Sequence, residues 1–201
     1  MTRGAVVAVA AMAAGGCGGG AEQHFTAADA VRVANVAPGA PSWTWPRNPR
    51  MPVWSGGSTG SAPTDPILAE FIKATASLVD VGDAEKEWQD SNKLANLDVG
   101  VYEKASDAHK AMGPFDTLSR KFGARTGRVT SEGAVHGLGD DAWRLFVSGN
   151  GPQVTYHWRR ANLVIEAHIH CFGHCATGLD AAARAWVDKI DTAVRRPRSQ
   201  R

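Results

Sequence analysis

Residues 168–175 read HIHCFGHC, three histidines and two cysteines within eight positions. Imidazole and thiolate groups are ligands for zinc and copper, so the density of donors alone suggests a metal centre. Strand geometry divides the cluster. In NLVIEAHIHCF, successive side chains face opposite ways. Leu163, Ile165, Ala167, Ile169 and Cys171 then share one face, and Val164, Glu166, His168 and His170 share the other. If the turn back to QVTYHWR has an even number of residues, Thr155 and His157 join Glu166 and the two histidines. Tyr156 and Trp158 then join the apolar face. A metal set would be His168 and His170, two apart on one strand, completed by Glu166 or His157. No spacing determines the third ligand. The competing reading is the solvated polar face common in antiparallel sheets.

The cysteines belong to the other face. Cys171 ends the strand, Phe172-Gly173-His174 can turn, and Cys175 precedes the last helix. A C-x₃-C loop can close as a disulfide if Gly173 supplies the permissive backbone. Thiolate ligation and free thiols are the alternatives, and the redox compartment decides among them.

The compartment is legible at the N-terminus. In MTRGAVVAVAAMAAGGCGGG, one cation, Arg3, precedes an uncharged Ala/Val-rich run over residues 4–16. As a helix this run rises roughly 20 Å, short of the ~30 Å hydrocarbon core. A short apolar run behind a positive start and ending in small residues has the form of an export signal. Ala14-Gly15-Gly16-Cys17 resembles a bacterial lipobox, with Ala14 where Leu is usual, which makes Cys17 the lipidation site. Ordinary cleavage after Ala11-Met12-Ala13 is the alternative and would give a secreted protein. Lipidation at Cys17 leaves Cys171 and Cys175 as a pair from an odd total of three cysteines.

The remaining chemistry is sparse. GGSTG (56–60) has the G-x-S-x-G form, but a Pro-rich stretch precedes it and SAPTDP follows, so Ser58 lacks the strand and helix that a nucleophile elbow needs. Asp140, Asp141 and Glu166 have no recognisable spacing to a nucleophile, and neither a phosphate loop nor an H-E-x-x-H is present. No catalytic residue and no cofactor is assigned. A net charge of +2 argues against a dedicated nucleic-acid surface.

The elements that must position these residues follow from periodicity. Residues 1–16 read as the signal and 17–63 as a Gly/Pro/Ser-rich spacer with one short helix capped by Thr26. Trp43, Trp45 and Trp54 in the spacer are candidates for partner contact. A globular domain is expected over 64–195, with a basic tail at 196–201. It opens on Asp65 as N-cap and Pro66 at N1. Two strands follow (AEKEWQD and NLDVGVYEK). A helix capped by Ser106 comes next, with Met112, Phe115, Leu118 and Phe122 in its stripe and Gly123 as its stop. Three hairpin-linked strands and a helix over about 179–194 complete the order α-β-β-α-β-β-β-α. The expected class is α+β, an antiparallel sheet of about five strands with amphipathic helices on one face.

The GDDAW segment, the hairpin VTYHWRRANLVIEAHIHCFGHC and the Ala-rich closing helix together resemble a loose group of actinobacterial cell-surface lipoproteins. Ala161 stands where that hairpin usually has Gly. The resemblance implies a membrane-anchored, sensor-like extracellular domain; the expected partner beyond the membrane is a small molecule or an envelope protein. It carries no activity across.

Overall fold

In a computed structural model, the chain is described over residues 23–39, 64–89, 91–149, 151–172 and 177–196. The elements are α1 (Ala27–Ala34), α2 (Pro66–Thr75), β1 (Asp80–Gln89), β2 (Lys93–Tyr102), α3 (Ala105–Thr126), β3 (Arg128–Ala134), β4 (Asp141–Ser148), β5 (Gln153–Arg160), β6 (Leu163–Cys171) and α4 (Leu179–Arg195). The strands form one antiparallel sheet in the order β1-β2-β6-β5-β4-β3.

The α+β class holds, but the sheet has six strands, not about five. The additional strand is β3, RVTSEGA, which pairs with β4 at the sheet edge. Its side chains are mostly exposed and show no apolar alternation, so the pattern that marks a half-buried strand is missing. Nor do all the helices lie on one face. α1 and α4 cover the face that carries Leu97, Val99, Tyr156, Trp158, Ile165 and Ile169. α3 crosses the opposite face, where Ala108, Ala111 and Met112 pack on Val164. α2 lies against α3, with Phe71 and Phe115 edge to face at 4.9 Å.

Several local expectations match. Thr26 caps α1, and its N–H donates to Asp29 Oδ2 at 3.0 Å. Asp65 caps α2 by accepting from Ile67 N at 2.8 Å. α3 begins behind Lys104 and not Ser106, and it runs past Gly123 to Thr126. Gly123 has a different use from a stop. A Cβ there would lie 2.8 Å from Val147 Cγ2, so the glycine lets α3 settle close to the sheet.

The α1 segment, assigned by composition to the spacer, packs into the main core through Phe25, Ala30, Val33 and Ala34. Asn162, buried in the β5–β6 turn, fastens it. Its Oδ1 accepts from Phe25 N at 2.8 Å, and its Nδ2 donates to Phe25 O at 3.0 Å and Tyr102 O at 2.7 Å. Trp186 of α4 donates to Val36 O at 2.9 Å and meets Trp88 edge to face. Arg160 of β5 reaches Asp191 of α4 through two nitrogens, fixing the helix over the hairpin. No helix among the described residues is long and apolar enough to cross a membrane.

Candidate functional site

The site is built by the hairpin β5–β6. Its turn is even, and the ladder pairs His157 with Glu166, Thr155 with His168, and Gln153 with His170. β2 continues these rows, with Asp98 beside Glu166, Asn96 beside His168 and Leu94 beside His170. β1 adds Glu85 beside Asp98. A row of carboxylates, Glu85–Asp98–Glu166, thus runs across three strands and ends at His157. The face-sharing of His157, Glu166, His168 and His170 is as the alternation predicts.

The environment of that face is not the predicted solvent. α3 lies over it, and His157 is fully buried. Its Nδ1 is 3.1 Å from Asp116 Oδ1, and its Nε2 is 2.7 Å from Glu166 Oε2 and 3.2 Å from Ser119 Oγ. Burial alone lowers the basicity of this ring. The Glu166 charge and the hydrogen bonds that the ring donates to Asp116 and Glu166 outweigh it, raising the pKa to about 9. Burial would raise the Glu166 carboxyl, but the adjacent imidazolium holds it below its ordinary range. Asp98 is pushed well up by burial, by Glu166 and by Glu85.

Ser119, His157 and Asp116 have the connectivity of a nucleophilic triad. The nitrogen that would deprotonate Ser119 instead carries a proton held by Glu166. An imidazolium with both N–H groups committed to carboxylates has no lone pair for the serine.

Beside this ion cluster, between α3 and the sheet, lies a cleft of about 290 Å³. Its polar wall is Asn96, Gln153, Thr155, Glu166, His168 and Ser119. Leu94, Leu118, Phe122, Leu145 and Val147 form the apolar wall. Thr155 Oγ1 and His168 Nδ1 are 3.0 Å apart. Burial, above all, brings the His168 pKa down to about 4, so this ring is neutral. Asn96 Nδ2 donates to Glu85 Oε1 at 3.2 Å and to Asp98 Oδ2 at 3.1 Å, while its buried Oδ1 has no hydrogen-bond partner.

The proposed metal ligands are therefore neighbours, but they do not converge. His157 is occupied on both nitrogens by side chains, and His168 and His170 are edge to face with ring centroids 6.3 Å apart. Among the described residues no group of three His, Cys, Asp or Glu side chains is arranged to hold a metal ion. Cys171 is buried at the end of β6, on the apolar face as expected. Cys17, Trp43, Trp45, Trp54, Ser58, His174 and Cys175 lie outside the described residues.

Sequence reasoning missed Asp116, Ser119, Asn96, Asp98 and Glu85. A signal existed for each pair. Asp116 and Ser119 are i, i+3 beside the apolar stripe of α3, and Asn96 and Asp98 are the polar alternates of β2.

No family model matches the chain, and no curated protein matches it. Among solved structures, the fold is similar to the extracellular domain of PknH from Mycobacterium tuberculosis. The identity is 14%, with 70% of this chain and 85% of that chain covered, and the TM-score is 0.38.

Proposed function

We propose that the chain is an exported surface protein, lipid-anchored at Cys17, whose α+β domain binds a small molecule without transforming it. The leader supports export and anchoring, since more than one acyl chain on a residue gives stable membrane attachment. In that compartment Cys171 and Cys175 close as a disulfide that ties the end of β6 to the start of α4. The observation that carries binding is the cleft under α3. It combines an apolar wall, a few convergent polar groups and a buried acceptor with nothing to accept from, which is the usual make-up of a ligand site. The doubly engaged His157 supports binding over catalysis.

Fatty-acid labelling of the wild type and of Cys17→Ser tests the anchor, with label expected in the first alone. A fragment screen on the ¹⁵N-labelled full-length chain tests the cleft. Hits should shift the amides of Asn96, Thr155 and His168 together. A screen that leaves those amides unmoved counts against binding there.

A further inference from the structure

The charge around the cleft is one-sided. Glu85, Asp98 and Glu166 are adjacent across β1, β2 and β6, and like charges directly opposite one another repel. Of the charges acting on Asp98, Glu166, Glu85 and Asp83 are acidic, and His157 is the single opposing one. That imidazolium is already shared between Glu166 and Asp116. No Lys or Arg among the described residues pairs with Glu85, Asp98 or Glu166. Two features therefore await a hydrogen-bond donor with positive charge: the acidic row and the orphaned Asn96 Oδ1. The cleft also carries a hydrocarbon lining, from Leu118, Phe122, Leu145 and Val147.

We propose that this cleft takes a small amphipathic amine, its ammonium seated between Glu166 and Asn96 and its hydrocarbon portion against Leu118, Phe122, Leu145 and Val147. The inference rests on the cleft being a binding site and adds the chemical class of what it binds. An ammonium supplies the missing donor to Asn96 Oδ1 and offsets the repulsion along the acidic row. A carboxylate or phosphate ligand would meet Glu166 with no cation to receive it. A cavity of about 290 Å³ restricts the ligand to a small one.

The test uses the full-length ¹⁵N-labelled chain at pH 7 with three probes of equal chain length: hexylammonium, 1-hexanol and hexanoate. Hexylammonium is expected to shift the Asn96, Thr155 and His168 amides saturably, roughly tenfold more tightly than hexanol, and hexanoate should leave them unmoved. Glu166→Gln should remove the preference for the amine. Because Glu166 also holds His157, Glu85→Gln serves as the second variant. It leaves the His157 contacts in place and should weaken hexylammonium several-fold while sparing hexanol. Equal binding of hexanol and hexylammonium would overturn the amine assignment and leave the cleft as a site. If none of the three probes moves those amides, both readings fail.

Discussion

His157 Nε2 lies 2.7 Å from Glu166 Oε2 across the β5–β6 ladder, with the imidazole fully buried beneath α3 and the carboxylate at the edge of the cleft. An ion pair taken out of water is sustained by the completeness of its partners more than by its Coulomb term. Here Asp116 and Ser119 complete the set. Replacing His157 with Leu leaves Glu166 and Asp116 facing each other without their cation. A loss of about 3–5 kcal/mol in urea unfolding is expected, and a loss below 1 kcal/mol would show that the cluster is weakly coupled to the fold.

The same pair sets a pH dependence. His157 rises from an ordinary 6.5 to about 9 in the folded chain, so folding strengthens its hold on a proton. That contribution is fully present below about pH 6.5 and is lost as pH climbs through about 9. Glu166, held below its ordinary range, contributes above its unfolded pKa and loses that contribution as pH falls. His168 opposes folding between 6.5 and about 4, because the unfolded chain takes up the proton that the partly buried ring refuses. Stability should therefore decline from pH 6.5 to 9.5 by on the order of 2–3 kcal/mol. The groups facing His157 and its neighbours are Asp116 from α3, Glu166 and His168 from β6, Asp98 from β2 and Glu85 from β1. Thermal melts of wild type and His157→Gln across this range check it: the alkaline decline should be absent from the variant.

Ala161 occupies the left-handed region at φ 50°, the sole described non-glycine residue with positive φ. Its N–H donates to Asp140 Oδ2 at 2.7 Å, which holds the turn in that shape. A Cβ is unfavourable there, and glycine avoids the clash while costing some chain entropy. Ala161→Gly is expected to stabilise by about 0.5–1 kcal/mol, read as a raised urea midpoint with unchanged slope.

Gly123 is a sharper case, because helix propensity and packing predict opposite signs. In an exposed helix interior, Gly→Ala gains about 1 kcal/mol. Here the new methyl would sit 2.8 Å from Val147 Cγ2 and 3.1 Å from Leu145 Cδ2. Gly123→Ala should therefore destabilise by roughly 1–2 kcal/mol. A gain would mean that α3 rides further from the sheet than this packing implies.

Denatured, unreduced full-length protein should show no titratable thiol beyond that of Cys17 where the leader is left unprocessed. Two further thiols would exclude a bridge between Cys171 and Cys175. Asn162→Ala tests the other fastening. It removes three buried hydrogen bonds to Phe25 and Tyr102, at a cost of about 2–3 kcal/mol. Amide exchange of α1 should accelerate more than that of β5.

The sequence by itself determined which side chains share a face. The alternation in β5 and β6 and their even turn place Tyr156, Trp158, Ile165 and Ile169 on one side and Thr155, His157, Glu166 and His168 on the other, because period-two geometry is a property of the strand alone. Caps were equally local, as at Thr26 and Asp65. Tertiary structure decided what each face meets. The stripe of Met112, Phe115 and Leu118 says that α3 must cover apolar surface, but nothing in its period says which side of the sheet supplies it. Once α3 lies over the histidine face, a polar strand surface becomes a buried ion cluster beside a cleft. Asp116 and Ser119, some forty residues from His157 in the chain, become its partners. β3 was hidden for the converse reason: an edge strand with little to bury leaves no apolar period to read, and its place comes only from the ladder with β4.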